Sequence, residues 1–199
     1  MLRDPRREAM VKELRESLRE SILERAFMFG DFTLASGKKS KYYVDARQLF
    51  KGDLMASVAH AFHETAMGLV FHAVGGLEVG AVPLTSAFLV YDMVMSTYRK
   101  NYEGFYVRKQ PKDHGTGKLI EGRLYADQSV LILDDVLTTG ESAMKAIRAV
   151  EAVGAKVAGV VCLIDRLQGA RELLKGYDFR PVYTVRDFGI EPEVACPAS

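Results

Sequence analysis

The sequence predicts an α/β fold in which a mostly parallel central sheet is flanked by helices. Short apolar runs that suit buried strands alternate along the chain with stretches whose apolar residues recur at helical spacing. This alternation is typical of right-handed βαβ crossovers. The 199 residues, 48% of them hydrophobic, are enough to bury the core of one domain. We therefore expect a single domain over 1–199, with an N-terminal part in 1–47 and a ligand-binding core in 48–199.

The N-terminal part is predicted to hold one long helix and one hairpin. Residues 5–28 place apolar side chains along one face, which indicates an amphipathic helix that packs on the domain or on a second copy. That face carries Val11, Leu14, Leu18 and Ile22. Two β-like pieces, 32–34 and 42–44, flank a polar turn at 36–40 and predict the hairpin.

The ligand-binding core is predicted to alternate between helices and strands. Helices are expected over 53–67, 85–98, 141–153 and 168–175. Strands are expected over 68–74, 104–107, 129–134, 156–164 and 181–185. Residues 109–122 are polar and rich in glycine, so we expect a long loop there, and loops of that length in compact domains are usually functional. The methionines near 92–95 are expected to fill the core.

Composition and charge exclude several classes of protein. Lys and Arg total 27 against 26 for Asp and Glu, so the net charge of +1 gives no general attraction to nucleic acid or to anionic membranes. No stretch reaches the roughly 18 apolar residues of a transmembrane helix. The N-terminus mixes arginines with acidic residues and lacks an apolar core run, so it matches neither a signal nor a transit peptide. Cys162 and Cys196 lack metal-ligand spacing, which favours free thiols and a cytoplasmic location.

The segment 130–142 carries the clearest chemistry. Four apolar residues lead into Asp134 and Asp135, and a hydroxyl-rich turn with one glycine then opens a helix. At the carboxyl end of a parallel strand, the turn at 138–142 could hold a phosphate on helix N–H groups. The two carboxylates could accept hydrogen bonds from neighbouring ribose hydroxyls and favour a cationic sugar. The alternative is structural, with the carboxylates closing the strand and one of the two threonines capping the helix.

A second cluster of charge lies on the predicted loop. Arg108, Lys109, Lys112 and His114 fall within a few residues of each other and are followed by glycines. Such a loop could close over a diphosphate, neutralise the charge that accumulates as the diphosphate departs, and exclude water. The alternative is a basic loop that faces solvent.

The segment 130–142 resembles the signature of the type I phosphoribosyltransferases, which bind 5-phosphoribosyl-1-pyrophosphate (PRPP). The run Arg-Lys followed by Lys-Asp-His-Gly resembles the catalytic loop of the orotate phosphoribosyltransferases. The resemblance implies a catalytic set of Lys109, Lys112, His114, Asp134 and Asp135. It also implies that PRPP contacts Arg108, Lys109, Lys112, His114, Asp134, Asp135, Val136, Leu137, Thr138, Thr139, Gly140, Glu141 and Ser142.

Two further segments extend the resemblance over nearly the whole chain. Residues 34–47 are similar to the family's N-terminal hood, which covers the orotate ring. Arg166 falls where the family has an arginine that pairs with orotate, so Thr138 and Arg166 are the implied orotate contacts. A guanidinium suits a planar carboxylate because it can form two parallel hydrogen bonds with it. The alternative for this arginine is a surface salt bridge to Asp165 or Glu172.

The glycine-rich segment 75–80 resembles the family's pyrophosphate loop, where backbone N–H groups could approach a diphosphate closely. It is not a Walker A loop, because Ala81 and Val82 replace the required Lys and Ser or Thr. The chain departs from the family pattern at Ala35, where many members have a lysine, and after Glu78, which no lysine follows.

The resemblance implies transfer of the phosphoribosyl group from PRPP to orotate, giving orotidine 5'-monophosphate and diphosphate in pyrimidine biosynthesis. Mg²⁺ is the implied cofactor, bound chiefly through substrate oxygens and not by a certain set of protein ligands. The implied partner is a second copy of the chain, with loop 109–122 reaching the neighbouring active site, and no nucleic acid or membrane is expected. Two alternatives stay open: a phosphoribosyltransferase for another base, and a non-catalytic regulator that senses PRPP.

Overall fold

The computed structural model describes residues 5–33, 39–96, 99–111 and 118–193. Its helices are α1 (Pro5–Ala26), α2 (Gly52–Thr65), α3 (Ala81–Val94), α4 (Glu141–Ala152) and α5 (Ala170–Leu173). Its strands are β1 (Phe27–Thr33), β2 (Lys39–Val44), β3 (Ala73–Leu77), β4 (Glu103–Val107), β5 (Ile120–Gly122), β6 (Ser129–Leu137), β7 (Lys156–Asp165) and β8 (Phe179–Thr184). The predicted α/β class is confirmed. The predicted order of helices and strands also holds, except that the short strand β5 lies within 109–122, where a loop was expected.

The central sheet has the strand order β5-β4-β3-β6-β7-β8. All neighbouring pairs are parallel except β4 and β5, which run antiparallel. Strands β4 and β5 lie on one side of β3, whereas β6, β7 and β8 extend the sheet on the other side. The direction of winding therefore reverses between β3 and β6, and open α/β sheets bind their ligands at the carboxyl end of such a pair.

The predicted hairpin is formed by β1 and β2, which pair antiparallel from Phe27 with Val44 to Thr33 with Lys39. Its tip, at 34–38, lies outside the described residues. The second half of α1 packs beneath it, with Leu18 and Ile22 fully buried, whereas Leu14 is exposed. The apolar stripe predicted for α1 is therefore a packing face over its C-terminal turns.

Two apolar layers cover the sheet. On one face, α1, α2 and α3 pack with the hairpin against the sheet. On the other face, α4 and α5 bury apolar side chains of β6 and β7. Alternate residues of β6 point into opposite layers, Leu131 and Leu133 into the first and Val130 and Ile132 into the second. The same alternation carries the adjacent carboxylates of β6 towards different helices.

The predicted bounds of β3 were wrong. We expected a strand over 68–74 that ends before Gly75, but the strand runs from Ala73 to Leu77 and contains both glycines. A Cβ on Gly75 would lie 2.3 Å from the carbonyl oxygen of Phe105, and one on Gly76 would lie 2.1 Å from that of Leu133. The glycines therefore let β3 pack tightly between its neighbours, whereas in the sequence they indicated a turn.

Boundaries near the acidic pair and at α3 also differ from the prediction. Strand β6 continues past the acidic pair to Leu137, so the pair lies inside the strand near its carboxyl end. Helix α3 begins at Ala81, before Pro83, and ends at Val94. Proline is tolerated in the first turn of a helix, where its missing N–H costs no hydrogen bond. The methionines expected in the core are also placed differently, because Met93 and Met95 are exposed at the end of α3.

Within the part of the chain that the structure describes, none of the helices has both the length and the apolar character needed to cross a membrane.

Candidate active site

The acidic pair lies at the reversal point between β3 and β6. Asp135 points towards the start of α3, where a Cβ on Gly80 would come within 3.0 Å of its carboxylate. Only a glycine leaves the backbone of the 75–80 segment this close to the carboxylate. Oδ1 of Asp135 accepts the N–H of Val136 at 2.7 Å, and this hydrogen bond fixes the direction of the Asp135 side chain. The predicted pyrophosphate segment and the acidic pair are thus brought together.

Asp134 points to the opposite layer and is almost fully buried. Its Oδ2 accepts the hydroxyl of Ser142 at 2.6 Å, and its Oδ1 accepts the N–H of Asp135 at 2.9 Å. Burial, and next the negative charge of Asp135, raise the pKa of the Asp134 carboxyl. Ser142 of the turn is therefore hydrogen-bonded directly to the carboxylate of β6, and this contact fixes the turn against the strand.

The turn at 138–142 joins β6 to α4. The N-cap of α4 is Gly140, with a φ of 89°, and no side chain caps the helix, so capping by Thr138 or Thr139 is wrong. The Thr138 carbonyl accepts the N–H of Ala170 at 3.2 Å, which fixes the turn against α5. Thr139 and Glu141 are exposed at the start of the helix. First-turn N–H groups of a helix have no intrahelical partner, so this end can accept an anion.

The root of the basic loop is attached to both neighbouring segments. The N–H of Lys109 donates to Oε1 of Glu78 at 2.8 Å, and the amine of Lys145 in α4 donates to the Lys109 carbonyl. Arg108 is half-buried and Lys109 exposed at the edge where the acidic pair lies. Lys112 and His114 lie outside the described residues. The structure therefore places the root of the basic loop, at Arg108 and Lys109, beside the acidic pair and the start of α4.

Arg166 is 4% exposed and lies at the end of β7, next to the turn. Its N–H donates to the Leu137 carbonyl at 2.8 Å. Its guanidinium lies 4.4 Å from the centre of the Tyr42 ring and donates to the Tyr42 hydroxyl at 3.2 Å. Burial raises the pKa of the Tyr42 phenol, although the cation opposes this shift. The hairpin and the end of β7 therefore meet at this buried cation.

The ion-pair partner of Arg166 was not predicted. Its Nη2 lies 3.3 Å from Oε2 of Glu193, and not against Asp165 or Glu172, so the alternative of a surface salt bridge is wrong. Ser40, Lys41 and Gln168 also contact the Glu193 carboxylate. No sequence pattern indicates Glu193, because this residue stands alone in a C-terminal segment without periodicity.

Among the described residues, no group of three or more His, Cys, Asp or Glu side chains is placed to hold a metal ion. The half-buried carboxylate of Asp135 can still contribute to a Mg²⁺ ion that keeps several other oxygen ligands. The donor set therefore fits an ion that arrives with a phosphorylated substrate.

Comparison with known proteins identifies the family to which the chain belongs. The family model for the phosphoribosyl transferase domain matches residues 80–193, which is more than half of the chain. The orotate phosphoribosyltransferase of Rhodopirellula baltica is 40% identical over 177 residues, covering 84% of this chain and 90% of that protein.

Solved structures agree in fold and in sequence. The orotate phosphoribosyltransferase of Mycobacterium tuberculosis, in complex with Fe(III) dicitrate, superposes with a TM-score of 0.77 at 34% identity, covering 89% of this chain and 99% of that one. The same enzyme in complex with PRPP superposes with a TM-score of 0.73 at 32% identity, with the same coverage. The mostly parallel sheet and its flanking helices are thus those of a type I phosphoribosyltransferase. The chain belongs to the phosphoribosyltransferase family and, within it, to the orotate phosphoribosyltransferases.

Proposed function

We propose that this chain transfers the phosphoribosyl group of PRPP to a ring nitrogen of orotate, releasing diphosphate and forming orotidine 5'-monophosphate. In this reaction the bond from the anomeric carbon to the diphosphate oxygen breaks, and a bond from the same carbon to nitrogen forms. The observation that carries the proposal is the pairing of two sites at one sheet edge. One is the acidic strand end beside a helix N-terminus, and the other is a buried guanidinium that already holds a carboxylate.

The PRPP half of the site is assigned to the strand end and the turn. The turn at 138–142 would hold the 5'-phosphate on N–H groups of α4. Asp134 and Asp135 would accept hydrogen bonds from the ribose hydroxyls, and their charge would favour the oxocarbenium-like transition state. The diphosphate would lie between the 75–80 segment and the basic loop, where Arg108 and Lys109 would contact it. Val136 and Leu137 would shape the floor of this half.

The acceptor half is assigned to Arg166 and Thr138. Orotate carries a carboxylate, and a buried guanidinium needs an anionic partner, so this site favours an anionic base over a neutral purine. Orotate is itself an anion, so the reaction needs no activated side-chain nucleophile. The protein's task is to orient two anions and to shield the sugar from water. Lys112 and His114 of the loop would assist as diphosphate leaves.

Mg²⁺ is assigned as the cofactor that comes with PRPP. Diphosphate and ribose oxygens would supply most ligands, with the carboxylates of Asp134 and Asp135 beside them. When bound, the ion neutralises the charge that develops on the diphosphate. The buried free thiol of Cys162 supports a reducing, cytoplasmic setting.

The working form is proposed to be a homodimer in which loop 109–122 reaches the neighbouring active site. The support is an apolar groove of about 350 Å³ between the start of α2 and the end of α3. Around it Val90, Val94 and Met95 are 63%, 65% and 67% exposed. Adjacent apolar side chains this exposed are typical of a protein interface.

Aspartate at position 94 should therefore convert the dimer to monomers and strongly lower turnover, because it puts a charge into a desolvated interface. Sedimentation velocity of V94D and of V70D tests this, since Val70 is 78% exposed and lies past the other end of α2. We expect V70D to keep the wild-type sedimentation coefficient. A wild-type monomer, or a V94D protein that stays dimeric, would contradict the interface.

The function itself is tested with four acceptors. The purified protein is mixed with PRPP, Mg²⁺ and either orotate, adenine, hypoxanthine or uracil, and product is followed by absorbance and chromatography. We expect turnover with orotate alone and its loss when Mg²⁺ is chelated. Turnover with a purine instead would favour a phosphoribosyltransferase for another base. PRPP binding without any turnover would favour the non-catalytic regulator.

A further inference from the structure

The C-terminal segment places a carboxylate of this chain in a pocket built for a carboxylate. We propose that Arg166, Ser40, Gln168 and the backbone N–H of Lys41 form the subsite for the acceptor's carboxylate, and that Glu193 occupies it until the acceptor displaces this side chain. The inference rests on the proposed function, and it adds a residue that sets acceptor affinity.

The contacts surround both oxygens of the Glu193 carboxylate. Oε1 accepts the backbone N–H of Lys41 at 2.8 Å and lies 2.9 Å from the Ser40 hydroxyl. Oε2 lies 3.3 Å from Nη2 of Arg166 and 3.4 Å from the amide nitrogen of Gln168. Four groups from β2, from the end of β7 and from the start of the following turn thus converge on one planar anion. Such convergence is typical of a site that recognises a carboxylate.

The subsite is held together without Glu193. Nη2 of Arg166 donates to the Ser40 hydroxyl at 3.2 Å, and its Nε donates to the hydroxyl of Tyr42 at 3.2 Å. Ser40 is buried, with its hydroxyl 2.6 Å from the Tyr42 carbonyl. These contacts fix the guanidinium and the hydroxyl before any anion arrives. The pocket is therefore preorganised, and the anion that enters it can be exchanged.

The charges explain why a carboxylate of the chain sits there. The side chain of Arg166 is 5% exposed, and Glu193 is the acidic group that pairs with it among the described residues. A buried cation without a counter-ion is strongly unfavourable. Glu193 supplies this counter-ion in the ligand-free protein. Its own side chain is 27% exposed and lies in the stretch 190–193, which has no regular structure, so it can withdraw when another carboxylate replaces it beside Arg166.

Orotate and Glu193 cannot use the subsite together. Both carboxylates need the same N–H and guanidinium donors, and two anions at that distance repel each other. The apparent affinity for the acceptor is then lowered by the fraction of molecules in which the subsite is closed. A neutral base cannot replace the Glu193 carboxylate as the counter-ion of Arg166, so the subsite adds little to the affinity for such a base.

The competing explanation is that Glu193 is a permanent partner that positions Arg166. The two roles predict opposite changes. If Glu193 competes with the acceptor, its removal lowers the KM for orotate, whereas if it positions the guanidinium, its removal raises that KM. Steady-state kinetics of E193Q and E193A separates them. The matched control is E191Q, because Glu191 is exposed two residues earlier in the same segment.

We expect the KM for orotate to fall on the order of threefold to tenfold in E193A, with kcat and the KM for PRPP unchanged. E193Q should change in the same direction and E191Q not at all. A second arm needs no turnover: calorimetric titration with orotidine 5'-monophosphate and with uridine 5'-monophosphate, which lacks the carboxylate. E193A should bind the first nucleotide more tightly and the second as the wild type does.

An unchanged or higher KM for orotate in E193A and E193Q, while the wild type turns orotate over, would overturn this inference and leave the proposed function intact. An equal gain in affinity for both nucleotides would also overturn it, because the carboxylate would then not be what Glu193 competes with. A wild-type protein that neither turns over orotate nor binds orotidine 5'-monophosphate would overturn the proposed function, and this inference with it.

Discussion

Asparagine in place of Asp135 should lower kcat by about two to three orders of magnitude, the range seen when one electrostatic contact to a developing charge is removed. The change preserves shape, and the Asn side-chain oxygen can still accept the Val136 N–H that Asp135 accepts at 2.7 Å. The carboxylate also stands against Gly80 at the start of α3, where an amide of the same size fits. Turnover should therefore fall while the melting temperature stays close to that of the wild type.

The control for D135N is the same substitution at the opposite end of the same strand. Asp127 is exposed before β6 and has a φ of 64°, a conformation that asparagine adopts readily. Steady-state kinetics and thermal unfolding of both variants give the comparison. D127N should match the wild type in both. If D135N kept near-normal turnover, the assignment of the acidic pair to the ribose would be wrong.

Substitution of the adjacent carboxylate, Asp134, should change the stability of the protein, unlike substitution of Asp135. Burial and the charge of Asp135 raise the pKa of Asp134 in the folded protein above its unfolded value. Such a carboxyl favours the folded state at pH values below its unfolded pKa, and this contribution is lost as the pH rises through the folded pKa. At neutral pH, D134N should therefore raise the melting temperature of the ligand-free protein while lowering turnover. Thermal unfolding across pH 4 to 9 checks this, and a destabilised D134N at neutral pH would contradict it.

Alanine at Lys112 should lower turnover by a similar factor to D135N, and a mixture of the two inactive variants should recover activity. If loop 109–122 enters the neighbouring active site, a mixed dimer has one site with an intact loop and an intact strand. Random mixing of equal amounts then restores about one quarter of the wild-type sites. Turnover measured after unfolding and refolding the mixture gives the result.

The control for this experiment is each variant refolded alone, which should stay inactive. If the loop serves its own subunit, no site in a mixed dimer is complete, and the mixture should be as inactive as its components. The same mixture made with H114A instead of K112A tests whether both loop residues act on the same side of the interface.

The strand, turn and helix of the PRPP half could be predicted because their signals are local. The apolar run, the acidic pair and the helical spacing after Gly140 lie within about two dozen residues, and chain order fixes which edge they share. The hydrogen bond that Ser142 donates to Asp134 is consistent with this local arrangement. The end of the strand was placed three residues early, because charged residues usually indicate that a buried strand has stopped.

The errors concern features that neighbouring strands and distant segments decide. Gly75 and Gly76 were read as a turn, but the backbones of Phe105 and Leu133 leave no room for a Cβ there. Glu193 is 27 residues from Arg166 in the sequence, and only the folded hairpin brings Ser40 between them. Local periodicity contains no information on such contacts, so these parts of the site required the fold.

The decisive measurement is a crystal structure of the protein with orotidine 5'-monophosphate. We expect the phosphate on the turn at 138–142, the ribose hydroxyls on Asp134 and Asp135, and the base carboxylate on Arg166. A nucleotide whose phosphate lies away from the turn, or whose base carboxylate does not contact Arg166, would contradict the assignment of the two halves of the site.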